Sequence, residues 1–158
     1  MEVLKILEND ILLVSGCAWV IAQVLKAIIN LIVSKKFSFE RLFGDGGMPS
    51  GHSATVTSLA VMIGLTDGYG FASVEFALAA IFAIVVMHDA TGVRQEAGKH
   101  AVSIIQITEA LNEYFMEHDE KIKIDKLKVL VGHTTLQVVC GSILGAAVAI
   151  IYNLIAIG

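Results

Sequence analysis

A chain of 158 residues is long enough for one domain and little more. Hydrophobic residues make up 56% of it, charged residues only 16%, and the mean hydropathy is +0.76. That leaves too little polar surface to cover a water-soluble core of this size, and the net charge of -4 argues against a nucleic-acid partner. The composition is that of an integral membrane protein, read as a single domain over residues 1–158.

Four apolar stretches follow in chain order. The first, Asp10–Ser34, is long enough to span a hydrocarbon core of about 30 Å with some tilt. Gln23 and Lys26 interrupt it. The second covers residues 53–66, and at 1.5 Å per residue it reaches only about 21 Å. It must draw length from residues 48–52 or end below the surface. The third covers residues 74–87 and is extended by residues 88–93. The fourth runs over residues 133–157.

Between the third and fourth lies the one long polar region, residues 94–128. Ala101, Ile104, Ile105, Ala110 and Leu111 fall at roughly helical spacing there, which predicts an amphipathic helix at the membrane surface. Residues 116–128 read as a solvated charge run. The predicted fold class is therefore all-α: a membrane bundle of about four transmembrane helices plus one amphipathic interfacial helix.

Cys17 and Cys140 lie inside apolar runs without paired spacing and read as small helix hydrophobes. The first residues lack the basic and small-residue pattern of a cleavable signal. Gly141 and Gly145 match a small-x3-small packing face, with Ala79 and Ala83 as its expected counterpart and a homodimer contact as the other reading.

Orientation follows from Lys and Arg. Lys35, Lys36 and Arg41 follow the first span; Arg94, Lys99, Lys121, Lys123, Lys126 and Lys128 follow the third. With four spans both loops share one side. The positive-inside rule makes that side cytoplasmic and puts both termini outside. The localisation expected is the cell membrane.

The unusual polar residues gather on that same side. His52 opens the second span. His88, Asp89 and Arg94 close the third. His133 opens the fourth, and Lys26 lies about two turns from the loop-side end of the first. Ionisable groups near bilayer depth are functional candidates because desolvation is costly. Histidines at helix N-termini beside Arg and Lys suit an anion, and they point to phosphoryl chemistry. One imidazole can attack phosphorus, a second can protonate the leaving oxygen, and the cations stabilise the equatorial oxygens. The scheme needs neither metal nor cofactor. A metal-binding transporter built on His52, His88, Asp89 and His133 is a third, weaker class. Glu96 and His100 read as a pair on the helix surface.

Pro49-Ser50-Gly51-His52 resembles the second signature of the type-2 phosphatidic acid phosphatase (PAP2) superfamily, which includes lipid phosphatases and vanadium haloperoxidases. His133, Gln137 and Gly141 are similar to its third signature, His-x3-Asp followed by Gly, with Gln in place of Asp. Four blocks in order resemble the small divergent PAP2 branch, a domain of unknown function. They are Gln23-x2-Lys26, "GGMPSGHSATVTSLA", "VMHDATGVRQEAGKHA" and "GHTTLQVVCGSILG".

The resemblance implies that His133 is the nucleophile forming a phosphohistidine and His52 the general acid, with Ser50 and Gly51 contacting phosphate. The arginine expected six residues before the nucleophile is Leu127 here, so Arg94 stands in for it. The first signature is absent, and Lys26, or Lys35 with Arg41, stands in for that. Gln137 would hydrogen-bond the His133 ring, and Asp89 would stabilise its imidazolium. The implied substrate is a phosphorylated lipid or isoprenoid. The alternative is a pocket that holds a lipid head group without turning it over, as a carrier, sensor or scaffold.

Overall fold

The computed structural model describes residues 6–34, 47–115 and 132–157. The charge run and the sequence candidates Lys35 and Arg41 lie outside these described residues. Among the described residues five α-helices follow in order: α1 (Asp10–Ser34), α2 (Gly51–Leu65), α3 (Val74–Thr91), α4 (Val93–Phe115) and α5 (Thr135–Ile157). Among the described residues there is no strand.

Short polar side chains set the helix starts. Before α1, the Asn9 side chain accepts from the Leu12 N–H at 3.0 Å. Ser50 caps α2 with extended backbone, its hydroxyl accepting from the Ser53 N–H. Ser73 does the same for α3, accepting from Phe76 N–H at 3.1 Å. Each cap satisfies a donor that the first helical turn leaves without an intrahelical partner. At Gly92 the backbone leaves helical geometry, closing α3 with an N–H bond to His88 O at 2.8 Å. Helix α4 starts one residue later.

Helix α2 is the centre of the bundle. It packs against α1, α3 and α5, whereas α4 rests on α3 alone among the helices. That position explains its composition. Ser53, Ala54, Val56, Ser58, Ala60, Met62 and Gly64 are all buried, so α2 has no strongly one-sided apolar stripe. In lipid, helices gain little from hydrophobic contrast and associate through close packing of small residues.

Gly141 and Gly145 of α5 show this most directly. A Cβ on Gly141 would strike the Ser50 carbonyl oxygen, and one on Gly145 the Ala54 carbonyl oxygen. The small-residue face of α5 therefore meets α2. The expected counterpart, Ala79 and Ala83 of α3, is buried, but α5 has α2 as its chief neighbour.

The outer surface is apolar. Val20, Ile28, Leu31, Leu78, Phe82, Ile143 and Leu154 are all exposed. The interior instead holds small residues and a cluster of Val14, Met62 and Ala149 with Ile11, Val61, Val148 and Tyr152 around it. This distribution suits a lipid solvent. Among the described residues, three segments are long and apolar enough to cross a membrane: α1, the segment beginning with α3, and α5. Helix α2 has 15 residues, about 22 Å at 1.5 Å per residue. It takes in Gly51 and His52 but not residues 48–50.

The contacts fix the helix directions. Gly51 at the start of α2 sits beside Trp19 and Gln23 of α1. Its far end meets the start of α1 and the end of α5 around a cavity of about 620 Å³ lined by Asp10, Leu65, Asp67, Tyr69, Tyr152 and Asn153. So α2 runs antiparallel to α1 and parallel to α5. It carries the chain from the histidine-bearing end to the opposite, acidic end.

Candidate functional site

The site is built from the loop before α2 and the loop before α5. Gly47 has φ +108°, a left-handed conformation that glycine adopts without strain. A Cβ there would also press on the Lys26 stem, 3.1 Å from Cγ and 3.2 Å from Cδ. Lys26 is thereby buried beneath the loop, with 6% exposure. The Met48–Pro49 peptide is cis.

Ser50 follows, fully buried. Its hydroxyl accepts from Ser53 N–H at 3.3 Å and from the Ser53 hydroxyl at 3.1 Å. Its backbone N–H donates to Gln137 O at 3.0 Å, tying the loop to the first turn of α5. Gly51 faces α1: a Cβ there would lie 3.2 Å from Trp19 Cδ1 and 3.9 Å from Gln23 Cδ. His52 then projects with an exposed side chain.

His133 arrives from the other loop. Its N–H donates to Ala90 O at 3.0 Å, which anchors it to the last turn of α3. Gly132 lies flat on the backbone of Arg94 and Gln95, where a Cβ would collide with Gln95 N. The His133 side chain is buried, 2% exposed. Its ring centroid is 5.9 Å from that of His52, and the ring planes cross at 83°. Residues 81 positions apart in sequence thus form a pair, one imidazole enclosed and one open to the surface.

The other sequence candidates divide. Arg94 Nε donates to Asp89 Oδ2 at 2.9 Å, and both side chains are about half exposed. This pair adjoins Ala90, which holds His133. Gln137 is placed differently from the expectation. Its side-chain oxygen accepts from Thr134 N–H at 3.1 Å, while the Thr134 hydroxyl accepts from Gln137 N–H at 3.4 Å. This is a reciprocal capping box, so the amide oxygen serves the α5 start and not the His133 ring. The Ser50 hydroxyl is likewise engaged as a cap, accepting from the Ser53 N–H and hydroxyl, and a helix N-terminus of this kind has N–H groups that suit an anion.

Glu96 pairs most closely with Lys99, at 2.6 Å, and His100 adds a weaker charge attraction to it. His88 is exposed at the end of α3. Among the described residues, no three His, Cys, Asp or Glu side chains group as a metal site.

Beside the site lie Trp19, which escaped the sequence reading, and Gln23, which that reading marked in the first span without giving it a role in the site. They lie four apart on α1 and so share a face. The available signal was a glutamine in the middle of an apolar span.

Comparison with known proteins agrees with the motif blocks. The chain is 39% identical over 154 residues to the uncharacterized membrane protein YuiD of Bacillus subtilis (strain 168), an alignment covering 94% of this chain and 96% of the relative. No solved structure matches it. The model of the divergent PAP2 family (DUF212) matches residues 7–148, a stretch containing α1, α2, α3, α4 and both histidine loops. The chain is a helical membrane protein that belongs to the divergent PAP2 family.

Proposed function

We propose that this protein is a membrane-embedded phosphatase that hydrolyses a phosphorylated lipid or isoprenoid at the cytoplasmic face. The observation that carries the reading is the paired rings of His133 and His52, 5.9 Å apart with one buried and one exposed. An enclosed imidazole held by its own backbone suits the nucleophile, and an exposed one beside it suits proton exchange with solvent.

In the first step a His133 nitrogen attacks phosphorus and the bond to the ester oxygen breaks. His52 gives its proton to the leaving oxygen. In the second step water attacks the phosphohistidine, His52 takes the water's proton, and phosphate leaves as the P–N bond breaks. Lys26, Arg94 and the N–H groups opening α2 supply the positive field for the transferring group.

One feature favours a second reading, in which the pocket retains an anionic head group without turnover. The family's aspartate position is Gln137, whose amide oxygen is engaged by Thr134. Phosphate release from a panel of lipid phosphates by purified protein separates the two. Release that falls at least a thousandfold in His133→Ala and about a hundredfold in His52→Ala supports hydrolysis. Release unchanged in His133→Ala removes His133 as nucleophile. Head-group binding without release on any substrate supports retention.

A further inference from the structure

The histidine pair is set below the level that a hydrocarbon core would reach. From the acidic end, α2 rises about 22 Å and α3 about 27 Å at 1.5 Å per residue. The hydrocarbon core is about 30 Å thick. One end must therefore be sunk. The acidic end carries Glu8, Asp10, Asp67 and Glu75, all exposed, and carboxylates are among the costliest groups to bury in lipid. The histidine end is the one that sinks. Helix α1 agrees: it continues eleven residues past Gln23 to Ser34, and Val24, Ile28, Leu31 and Ile32 on that extension are exposed apolar side chains. These side chains suit hydrocarbon that reaches beyond the depth of His52.

At this depth one polar atom stands out. Gln23 Oε1 is buried and has no hydrogen-bond partner among the described residues. Its carboxamide carbon lies 3.9 Å from the Cβ position of Gly51, the residue joined to His52. A buried polar group left unpaired is unfavourable, so retention of an amide here calls for a ligand. Rotated half a turn, the same amide presents its NH2 group, a donor for a phosphoryl oxygen.

We propose that Gln23 is a binding residue for the phosphoryl head of a lipid at this end of the bundle, with the Trp19 indole beside it as part of the membrane-side wall. This rests on the anion site proposed above and adds a contact from α1 to it.

Trp19 is the sole tryptophan, so its emission reports on the site directly. The protein in phosphatidylcholine nanodiscs is titrated with phosphatidic acid, and phosphate release is followed in the same samples. Phosphatidic acid is expected to change Trp19 emission. Gln23→Leu is expected to weaken that binding about tenfold while raising the thermal midpoint of the unliganded protein, because an unpaired polar group has gone. Gln23→Glu, similar in shape but anionic, is expected to weaken it further. Inorganic phosphate is expected to compete poorly.

Binding by Gln23→Leu as tight as wild type, or a lowered unliganded midpoint in that variant, overturns the assignment. Equal competition by inorganic phosphate overturns lipid delivery. The two proposals fail separately. Gln23-dependent binding without phosphate release removes hydrolysis and leaves the contact. Release with KM and kcat unchanged in Gln23→Leu removes the contact and leaves hydrolysis.

Discussion

His133 and Gln137 lie one helical turn apart at the start of α5, and their surroundings separate their roles. His133 is fixed from behind by Ala90 O and faces His52. Gln137 looks back to Thr134 through the reciprocal cap. The sequence pattern made Gln137 a partner for the His133 ring because its spacing matches the family's aspartate. The capping role wins because the helix start leaves N–H groups that need acceptors, and an amide three residues after the cap reaches them first. Gln137→Ala should therefore lower stability by about 1 kcal/mol, seen as a lower denaturation midpoint in detergent, while phosphate release per folded molecule stays within a few fold. A collapse of turnover at unchanged stability would return Gln137 to the chemistry. Both histidines were legible because each opens an apolar run. Their approach to each other was not, since it depends on how α2 and α5 pack.

Packing at the level of helices comes down to glycines. Gly145 lies against the Ala54 carbonyl, with Ala54 C at 2.9 Å and Cα at 3.0 Å from where a Cβ would be. Backbone cannot yield as a flexible side chain can, so Gly145→Ala must push α5 away from α2. The expected cost is about 1–3 kcal/mol. Gly16 on α1 is the control: nothing lies within 4 Å of its Cβ position. Gly16→Ala should leave stability unchanged or raise it by up to about 1 kcal/mol through helix propensity. Thermal unfolding of both variants in the same detergent checks the contrast, and equal losses would mean that the α2–α5 contact is looser than described. The helices themselves were largely legible. The first apolar stretch coincides with α1, and the others differ from α2, α3 and α5 by a few residues at their ends. The partner of Gly141 and Gly145 was not, because periodicity marks a small-residue face without saying what covers it. The central place of α2 was equally hidden, since a helix enclosed on several sides has small residues all round and no stripe to read.

Across the whole molecule, one end of the bundle is acidic and nearly all the cations gather on the side of the other, where carboxylates offset them. The end where α1 starts and α5 finishes gathers Glu8, Asp10 and Asp67 around one cavity. The histidine end carries Lys26, Arg94 and Lys99, and the sequence adds Lys35, Lys36 and Arg41 on one connection and Lys121, Lys123, Lys126 and Lys128 on the other. Lys and Arg are retained on the cytoplasmic side during insertion, so the histidine pair should face the cytoplasm and the acidic cavity the exterior. Asp67 and Glu96 are exposed on opposite ends, which makes them suitable reporters. With Cys17 and Cys140 replaced by alanine, Asp67→Cys should react with a membrane-impermeant maleimide in intact cells. Glu96→Cys should react only after permeabilisation. The reverse pattern would invert the protein and bring the site to the outer leaflet. Labelling of both in intact cells would mean that α3 does not cross, because α3 is the only helix between Asp67 and α4.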